Sequence, residues 1–275
     1  MKTAFLTMDV ESFYDTSCVK ERGVTGSRSC AEQVGEFLDL LHTYGAKATL
    51  FVTADFLGEC KPYLRRAAAE GHEIALHALV HESPVGYSRK QFKDCILRAR
   101  EEIESELGTK VAGYRAPCFG IDEGKIEVLK ELGFLYDSSA LNFSAAYRSG
   151  KLNLKGYRKI NDCLYCDGSF FEVKPSTLSG GGYVRLAPWT LVKGRLKRYF
   201  KRADAYVFYV HPFELYGGEL PEAKTLPAVF RTFVNRGRKD YREKTELIFS
   251  WLKAEGYAFP TVSGYLGEAG DEGRR

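Results

Sequence analysis

The sequence predicts an α/β fold built on a largely parallel sheet. Two observations carry this expectation. Short β-rich runs alternate with amphipathic segments through the first half, and polar residues recur at the C-terminal ends of those runs. A length of 275 residues suits one β/α barrel domain, since such barrels routinely reach about 200 to 250 residues. No internal repeat, low-complexity segment or linker divides the chain, so residues 1–275 are expected to form a single domain.

The first strand is "TAFLTM". A helix is expected from "SCAE", where Ser29 can cap and Glu32, three residues on, completes a capping box; Val34, Phe37, Leu38 and Leu41 follow at helical spacing. "ATLFV" reads as the second strand and "KPYLRRAAAEG" as the second helix, with Pro62 in its first turn and Gly71 at its end. "HEIAL" is the third strand. The long segment "SRKQFKDCILRAREEIESELG" is a helix running from the capping pair Ser88 and Gln91 to Gly108. "VAGY" follows as strand four, "IDEGKIEVLKELG" as a helix and "FLY" as strand five. Beyond residue 140 the pattern loosens. "FFEV" and "AYVFYV" are the clearest later strands, and "YREKTELIFSWLKAEG" is a final helix.

Composition excludes several classes. No apolar run approaches the ~18 residues of a membrane span. Asp9 interrupts the N-terminal apolar stretch too early for a secretory signal, so a cytoplasmic location is expected. Seven cysteines, an odd number without a regular framework, suit a reducing compartment. Cys163 and Cys166 in "CLYC" read as ordinary thiols, a half metal site or redox pair being the alternative. A net charge of +4 is too modest to point to nucleic acid. One stretch is denser: "WTLVKGRLKRYFKR", residues 189–202, holds six Lys or Arg. It reads as a solvated helix face, or as a contact for anionic sugars, a lipid-linked phosphate or a membrane surface, which would make peripheral membrane contact possible.

The chemistry concentrates in a few places. His77 and His81, two of only five histidines, stand four apart at the end of an apolar run. On a helical turn that spacing places two side chains on one face, about 5 to 6 Å apart at Cβ, where they could share a cation such as zinc. Glu does not follow the first His, so the H-E-x-x-H pattern is absent and a third ligand must come from elsewhere. His72 reads as a structural histidine. Asp9, His77, Arg115, Asp137 and His211 each stand at the end of an expected strand. In a β/α barrel the site is built at the C-terminal face by residues of this kind from several strands.

Taken in order, "LTMDVESF", "HEIALHALVH", "GYRAPCFGI", "YDSS" and "FYVHPFEL" resemble the motifs of the polysaccharide deacetylase family, the NodB-homology group or carbohydrate esterase family four, over residues 3 to about 215. The Asp-Val-Glu of the first motif and "GGGYVRLAPW", residues 180–189, resemble a subgroup linked to exopolysaccharide biosynthesis. The resemblance implies a distorted (β/α) barrel and a hydrolase that removes N-acetyl groups from amino sugars of a glycan or lipid-linked precursor. It also implies a divalent metal, with zinc the expected occupant.

By resemblance, Glu11, His77 and His81 bind that metal, Asp9 is the general base, Arg115 holds Asp9 ionised, and His211 protonates the leaving amine. The backbone N–H of Cys118 faces the oxyanion, and Pro117, Phe119, Tyr183 and Pro212 border the substrate. Two departures leave alternatives open. The common first motif has adjacent aspartates, so Asp9 could be the ligand instead of Glu11. The fourth motif lacks its Trp after Asp137, so either Asp137 or Glu172 could orient His211. Rival readings are a small-molecule amidase or deformylase on the same barrel, and a carbohydrate-binding protein that has lost catalysis.

Overall fold

A computed structural model describes residues 1–15, 17–24, 26, 29–141, 152–176 and 182–272. Its strands are β1 (Lys2–Val10), β2 (Ala48–Thr53), β3 (Glu73–Ala78), β4 (Gly113–Tyr114), β5 (Tyr136–Asp137), β6 (Arg158–Lys159), β7 (Leu164–Asp167), β8 (Phe170–Val173), β9 (Ala205–Val210) and β10 (Tyr257–Ala258). Neighbours run β1-β2-β3-β4-β5-β8-β7-β6, while β9 and β10 both pair with β1. Every pairing is parallel except β6 with β7 and β7 with β8. Between β8 and β9 a side chain takes over from the ladder, as the Val207 N–H donates to the Ser176 hydroxyl at 2.9 Å. The result is the expected α/β architecture, a central mixed sheet curled into a distorted barrel.

Strand pleating sorts the residues. In β1 the side chains of Ala4, Leu6, Met8 and Val10 join the large cluster under the helices, while Phe5 joins a second cluster with Phe51, Ala75, Tyr136, Val173 and Val207 inside the barrel. With a period of two, Thr7 and Asp9 share the inward face of Phe5. The same parity turns His77 inward from β3, Arg115 from the end of β4 and His211 from the end of β9. Four polar groups on four strands thus converge at one mouth because they share both strand end and pleat face.

Outside pack the helices Glu32–Tyr44, Leu57–Ala69, Arg89–Leu107, Glu123–Glu131, Trp189–Arg202 and Tyr241–Ala254. The Ser88 capping box forms as expected, its hydroxyl accepting from the Gln91 N–H and Gln91 Oε1 accepting from the Ser88 N–H. Two expected helix starts move. Glu32 is the first helical residue after Ala31, and Ser29 accepts from the Ala31 N–H at 3.2 Å in a local turn, so no box forms there. The second helix begins at Leu57, which leaves Pro62 in its interior rather than its first turn, at the loss of one i→i−4 bond. His77 belongs to β3 and His81 to the loop beyond, so the pair meets across a strand end and not along a helical turn.

The basic helix Trp189–Arg202 forms, yet its charged C-terminal half lies at the other end of the barrel. Lys2, the first residue of β1, donates to the carbonyls of Phe200 and Lys201. Seven residue steps of strand take the chain from Lys2 to Asp9, roughly 23 Å. Its Lys and Arg side chains there face solvent.

Gly113 in β4 illustrates how tightly the inner layer is packed. A Cβ there would lie 1.9 Å from the ring of Tyr136, which is fully buried and donates its hydroxyl to Glu73. Gly113→Ala is expected to cost at least about 3 kcal/mol, at the upper end of overpacking, and to lower Tm by roughly 6 °C or more in thermal unfolding. An unchanged Tm would show that the ring has room to move.

Candidate metal-binding active site

Asp9 is the next-to-last residue of β1 and Glu11 lies just beyond the strand; both are buried. Opposite them the pairing of β2 with β3 slips, with Val52 against Leu76 but Thr53 against Ala78. His77 is the residue skipped, so the ladder is locally interrupted where its side chain enters the mouth. Glu11 Oε2 lies 2.5 Å from His81 Nε2 and 3.3 Å from His77 Nε2. Among the described residues, Glu11, His77 and His81 are the one group with metal-ligating atoms clustered within 4.8 Å.

The hydrogen bonds behind the imidazoles test whether this trio fits a cation. His77 Nδ1 sits 2.7 Å from the carbonyl of Arg115, and His81 Nδ1 sits 2.9 Å from the carbonyl of Asp15. A carbonyl only accepts, so each Nδ1 carries a proton, and without a second proton on the ring its Nε2 turns a lone pair toward Glu11. Glu11 Oε2 is buried and receives no hydrogen bond despite those close nitrogens. Three acceptors facing one point need a cation between them or a proton on an imidazole. Positive charge is favoured there: burial alone would lower the His81 pKa, but the Glu11 carboxylate raises it above the usual value. Burial alone would raise Glu11, yet the charge of His81 and the closeness of both imidazoles hold it well below the carboxylate range. The residues fit a divalent metal.

Beside the trio, Arg115 is completely buried. It donates from Nη1 to Asp9 Oδ1 at 2.6 Å and to Thr7 Oγ1 at 2.9 Å, and from Nε and Nη2 to the carbonyl and hydroxyl of Ser138. The guanidinium also stacks over the Phe51 ring, 4.1 Å from its centroid. Asp9 is thereby clamped by one oxygen, and its other oxygen lies 3.9 Å from His211 Nε2.

His211 opens the short helix Pro212–Leu215, and Glu214 in the first turn reaches back to it. Glu214 Oε2 accepts from the His211 backbone N–H at 3.1 Å and lies 2.9 Å from His211 Nδ1. Burial would lower the His211 pKa, but the Glu214 hydrogen bond and charge, with Glu11 and Asp9 behind, raise it to about 9. Burial would raise Glu214, while His211 and then Arg185 bring it down to about 2. The carboxylate at His211 is therefore Glu214, neither of the two expected partners. The signal was present in "HPFEL", where Glu three residues after an N-cap position is the capping-box spacing.

Asp137 is at a strand end as expected but on the other pleat face. It pairs in register with Glu172, next to the inward pair Tyr136 and Phe171, so both carboxyls turn away from Asp9 and His211. Glu172 Oε1 accepts from the N–H groups of Ser139 and Ala140. Burial raises both carboxyl pKa values, Glu172 well above the ordinary range, with the Asp137 charge adding to its shift. Glu172 Oε2, which finds no donor, is satisfied when it carries a proton and donates to Asp137. The pair supports the site at one remove: Asp137 accepts from the Ser139 hydroxyl, which accepts from the Ala116 N–H at the entrance to the turn Pro117–Phe119.

These raised values carry a sign. Between the ordinary glutamate value of 4.5 and the folded pKa of Glu172, the folded state holds more protons than the unfolded one, so stability falls as pH rises. Glu172→Gln keeps both acceptor bonds and gives Asp137 a permanent donor. Across pH 5 to 8, the wild type is expected to lose stability relative to this variant, by at most about 1.4 kcal/mol per pH unit. Parallel Tm profiles would show that no proton is shared.

The mouth opens into a cavity of about 360 Å³. One wall holds Asp9, Glu11, His77, His81 and His211; the other is largely apolar, with Phe119, Tyr209, Phe213, Phe233 and Val234. Cys118, at φ 54°, and Phe119, at φ 57°, form a strained turn that borders it, the kind of backbone that persists where surrounding contacts demand it. Of the four expected substrate contacts, Phe119 alone lines the cavity. Pro117 and Pro212 precede lining residues, and Tyr183 packs against the outer core. Gly180 and Gly181 of "GGGYVRLAPW" lie outside the described residues, but Arg185 of that stretch reaches the cavity. The thiols of Cys163 and Cys166 are buried outside the site, and Cys163 contacts the Ser176 hydroxyl at 3.2 Å.

Residues 14–136 match the family model described as polysaccharide deacetylase, and residues 170–255 match one described as a domain of unknown function, DUF3473. Curated relatives include a peptidoglycan deacetylase of Helicobacter pylori, 30% identical over 41% of this chain and 39% of that protein. A peptidoglycan deacetylase-like protein of Gibberella zeae is 35% identical over 38% and 32%. The matched stretch is thus between about a third and two fifths of each relative's length. Among solved structures, a polysaccharide deacetylase of Bacillus cereus superposes at TM-score 0.53 and 16% identity, covering 95% of this chain and 92% of that one. A carbohydrate esterase family four pseudoenzyme of Bacillus anthracis superposes at 0.55 and 14%, covering 97% and 66%. At such identities the superpositions speak for the fold.

Proposed function

Residues 14–136 belong to the polysaccharide deacetylase family, and from that premise we propose that this chain hydrolyses the N-acetyl amide of an amino sugar in a glycan or lipid-linked glycan precursor. The observation that carries the reading is the convergence of Glu11, His77 and His81 on one point, beside an arginine-clamped carboxylate and a histidine. The trio would hold a divalent cation, zinc being suited to imidazole and carboxylate donors. Bound there, such an ion supplies Lewis acidity toward a carbonyl oxygen and acidifies water.

The chain's own residues do the rest. Asp9, clamped by Arg115, receives the proton of the water whose oxygen adds to the acetyl carbon. The backbone N–H of Cys118, at the cavity-lining turn, is assigned to the oxygen that becomes negative. As the carbon–nitrogen bond breaks, His211 gives its Nε2 proton to the departing amine, so acetate and a free amino sugar leave. Glu11 rather than Asp9 is the carboxylate assigned to the cation, because one oxygen of Asp9 is already engaged by Arg115. The charged C-terminal half of the helix Trp189–Arg202 lies at the opposite end of the barrel from this machinery.

The test is acetate release from a panel of N-acetylated glycans by the zinc-loaded protein, with mass spectrometry of the products. Free amine on the sugar, in step with acetate, is the expected outcome. Cleavage of small amides or formamides alone would replace the reading by the amidase alternative, and glycan binding without acetate would make the chain a binding protein.

A further inference from the structure

His211, Glu214 and Arg185 all fall within residues 170–255, the segment without an assigned function, whereas His77, His81 and Arg115 fall within 14–136. Arg185 and Glu214 are each 1% exposed at the side chain, and Arg185 Nε donates to Glu214 Oε1 at 2.8 Å. The other arm of the same guanidinium donates to the carbonyls of Phe233 at 2.6 Å and Arg236 at 2.9 Å, at the end of the helix Ala228–Asn235. Phe233 and Val234 of that helix line the cavity. The chain passes so close here that a Cβ on Gly237, at φ 75°, would lie 2.0 Å from the Arg185 carbonyl oxygen. One buried side chain therefore joins the carboxylate behind His211 to the wall of the cavity.

We propose that residues 170–255 form the proton-donating half of the active site, in which Glu214 positions His211 and Arg185 positions Glu214 while fixing the wall at Phe233. An ionised Glu214 can only accept, so His211 Nδ1 carries a proton and Nε2 faces the cavity. When the ring is an imidazolium, its second proton then sits on Nε2, aimed where an acid must reach the leaving nitrogen. Glu214 and Arg185 touch no substrate; they act through the imidazole and the wall.

The inference rests on the deacetylase reading, and leaving-group chemistry separates it from a merely structural role. An amide nitrogen must be protonated to leave, whereas 4-nitrophenolate leaves unaided. Zinc-loaded Glu214→Gln is expected to lose kcat about 10²-fold on an N-acetylglucosamine oligosaccharide, and at least tenfold less than that on 4-nitrophenyl acetate. Arg185→Lys, which keeps the charge but loses the fork, should show the same split more weakly and raise KM for the oligosaccharide through the loosened wall. Equal losses on both substrates with zinc retained would overturn the proposal, as would no loss on either.

A second readout needs no turnover. In ¹⁵N-histidine-labelled protein, the Nδ1 proton of His211, identified by its absence in His211→Gln, is expected downfield in the wild type and shifted upfield or lost in Glu214→Gln. An unmoved signal would overturn the positioning role. Should the wild type cleave neither substrate, the deacetylase reading fails while this measurement still decides the role of Glu214.

Discussion

Asp9→Asn is expected to leave one divalent cation per chain in place and to slow deacetylation by about 10² to 10⁴-fold, roughly 3 to 5 kcal/mol of barrier. Asparagine has the shape of aspartate and can still accept from Arg115 through its amide oxygen, so the clamp survives in outline. What it cannot do is take a proton from water. The change also leaves the buried Arg115 guanidinium without its one ionised partner at 2.6 Å, and breaking a buried pair in this way typically costs about 3 to 5 kcal/mol of stability. Rates are therefore to be compared well below the lowered Tm, with metal content measured on the same samples by mass spectrometry. Glu11→Gln is the control, expected to lose the cation first and activity with it. An exchange of the two phenotypes would assign Asp9 to the metal and Glu11 to the proton.

His77→Ala and His81→Ala are each expected to abolish stable cation binding and activity together. Each removes one of three donors that meet within 4.8 Å, and each leaves a hole where the backbone carbonyl behind the ring had fixed its direction. The effect should appear in stability as well as turnover. An ion that binds only the folded state adds about 2.7 kcal/mol at a hundredfold excess over Kd. A chelator should therefore lower the Tm of the wild type and leave both variants unmoved. Full occupancy in a double variant, or equal Tm shifts in all three proteins, would remove the histidines from the ligand set.

Much of this was legible in the one-dimensional pattern. Apolar runs bounded by turn residues located strands β1, β2, β3, β4, β8 and β9, and the motif residues at or just beyond their ends included Asp9, Glu11, His77, His81, Arg115 and His211. Local chemistry also sufficed where a signal closes on itself within a turn: Ser88 and Gln91 bond to each other, so their spacing alone identifies the helix start. It failed at Ser29 and Pro62, where helix starts depend on how the preceding chain enters, through the Cys30 backbone at φ 62° and the turn Ala54–Phe56.

Which polar residues meet was decided by tertiary structure, for a geometric reason. A strand's residues alternate between two faces, and a strand of two residues, such as β5, has no internal periodicity from which its face can be read. Only its register with β8 shows that Asp137 turns toward Glu172 and away from His211. Likewise the slip between β2 and β3 that skips His77 is invisible in either strand alone. Arg185 reaches Glu214 across 29 positions and the Phe233 carbonyl across 48, contacts that exist only once both helices are packed. Residue type and strand end, then, were properties of the sequence. Pleat face, register slip and long-range hydrogen bonds were properties of the packed barrel, because each depends on a neighbouring strand or helix distant along the chain.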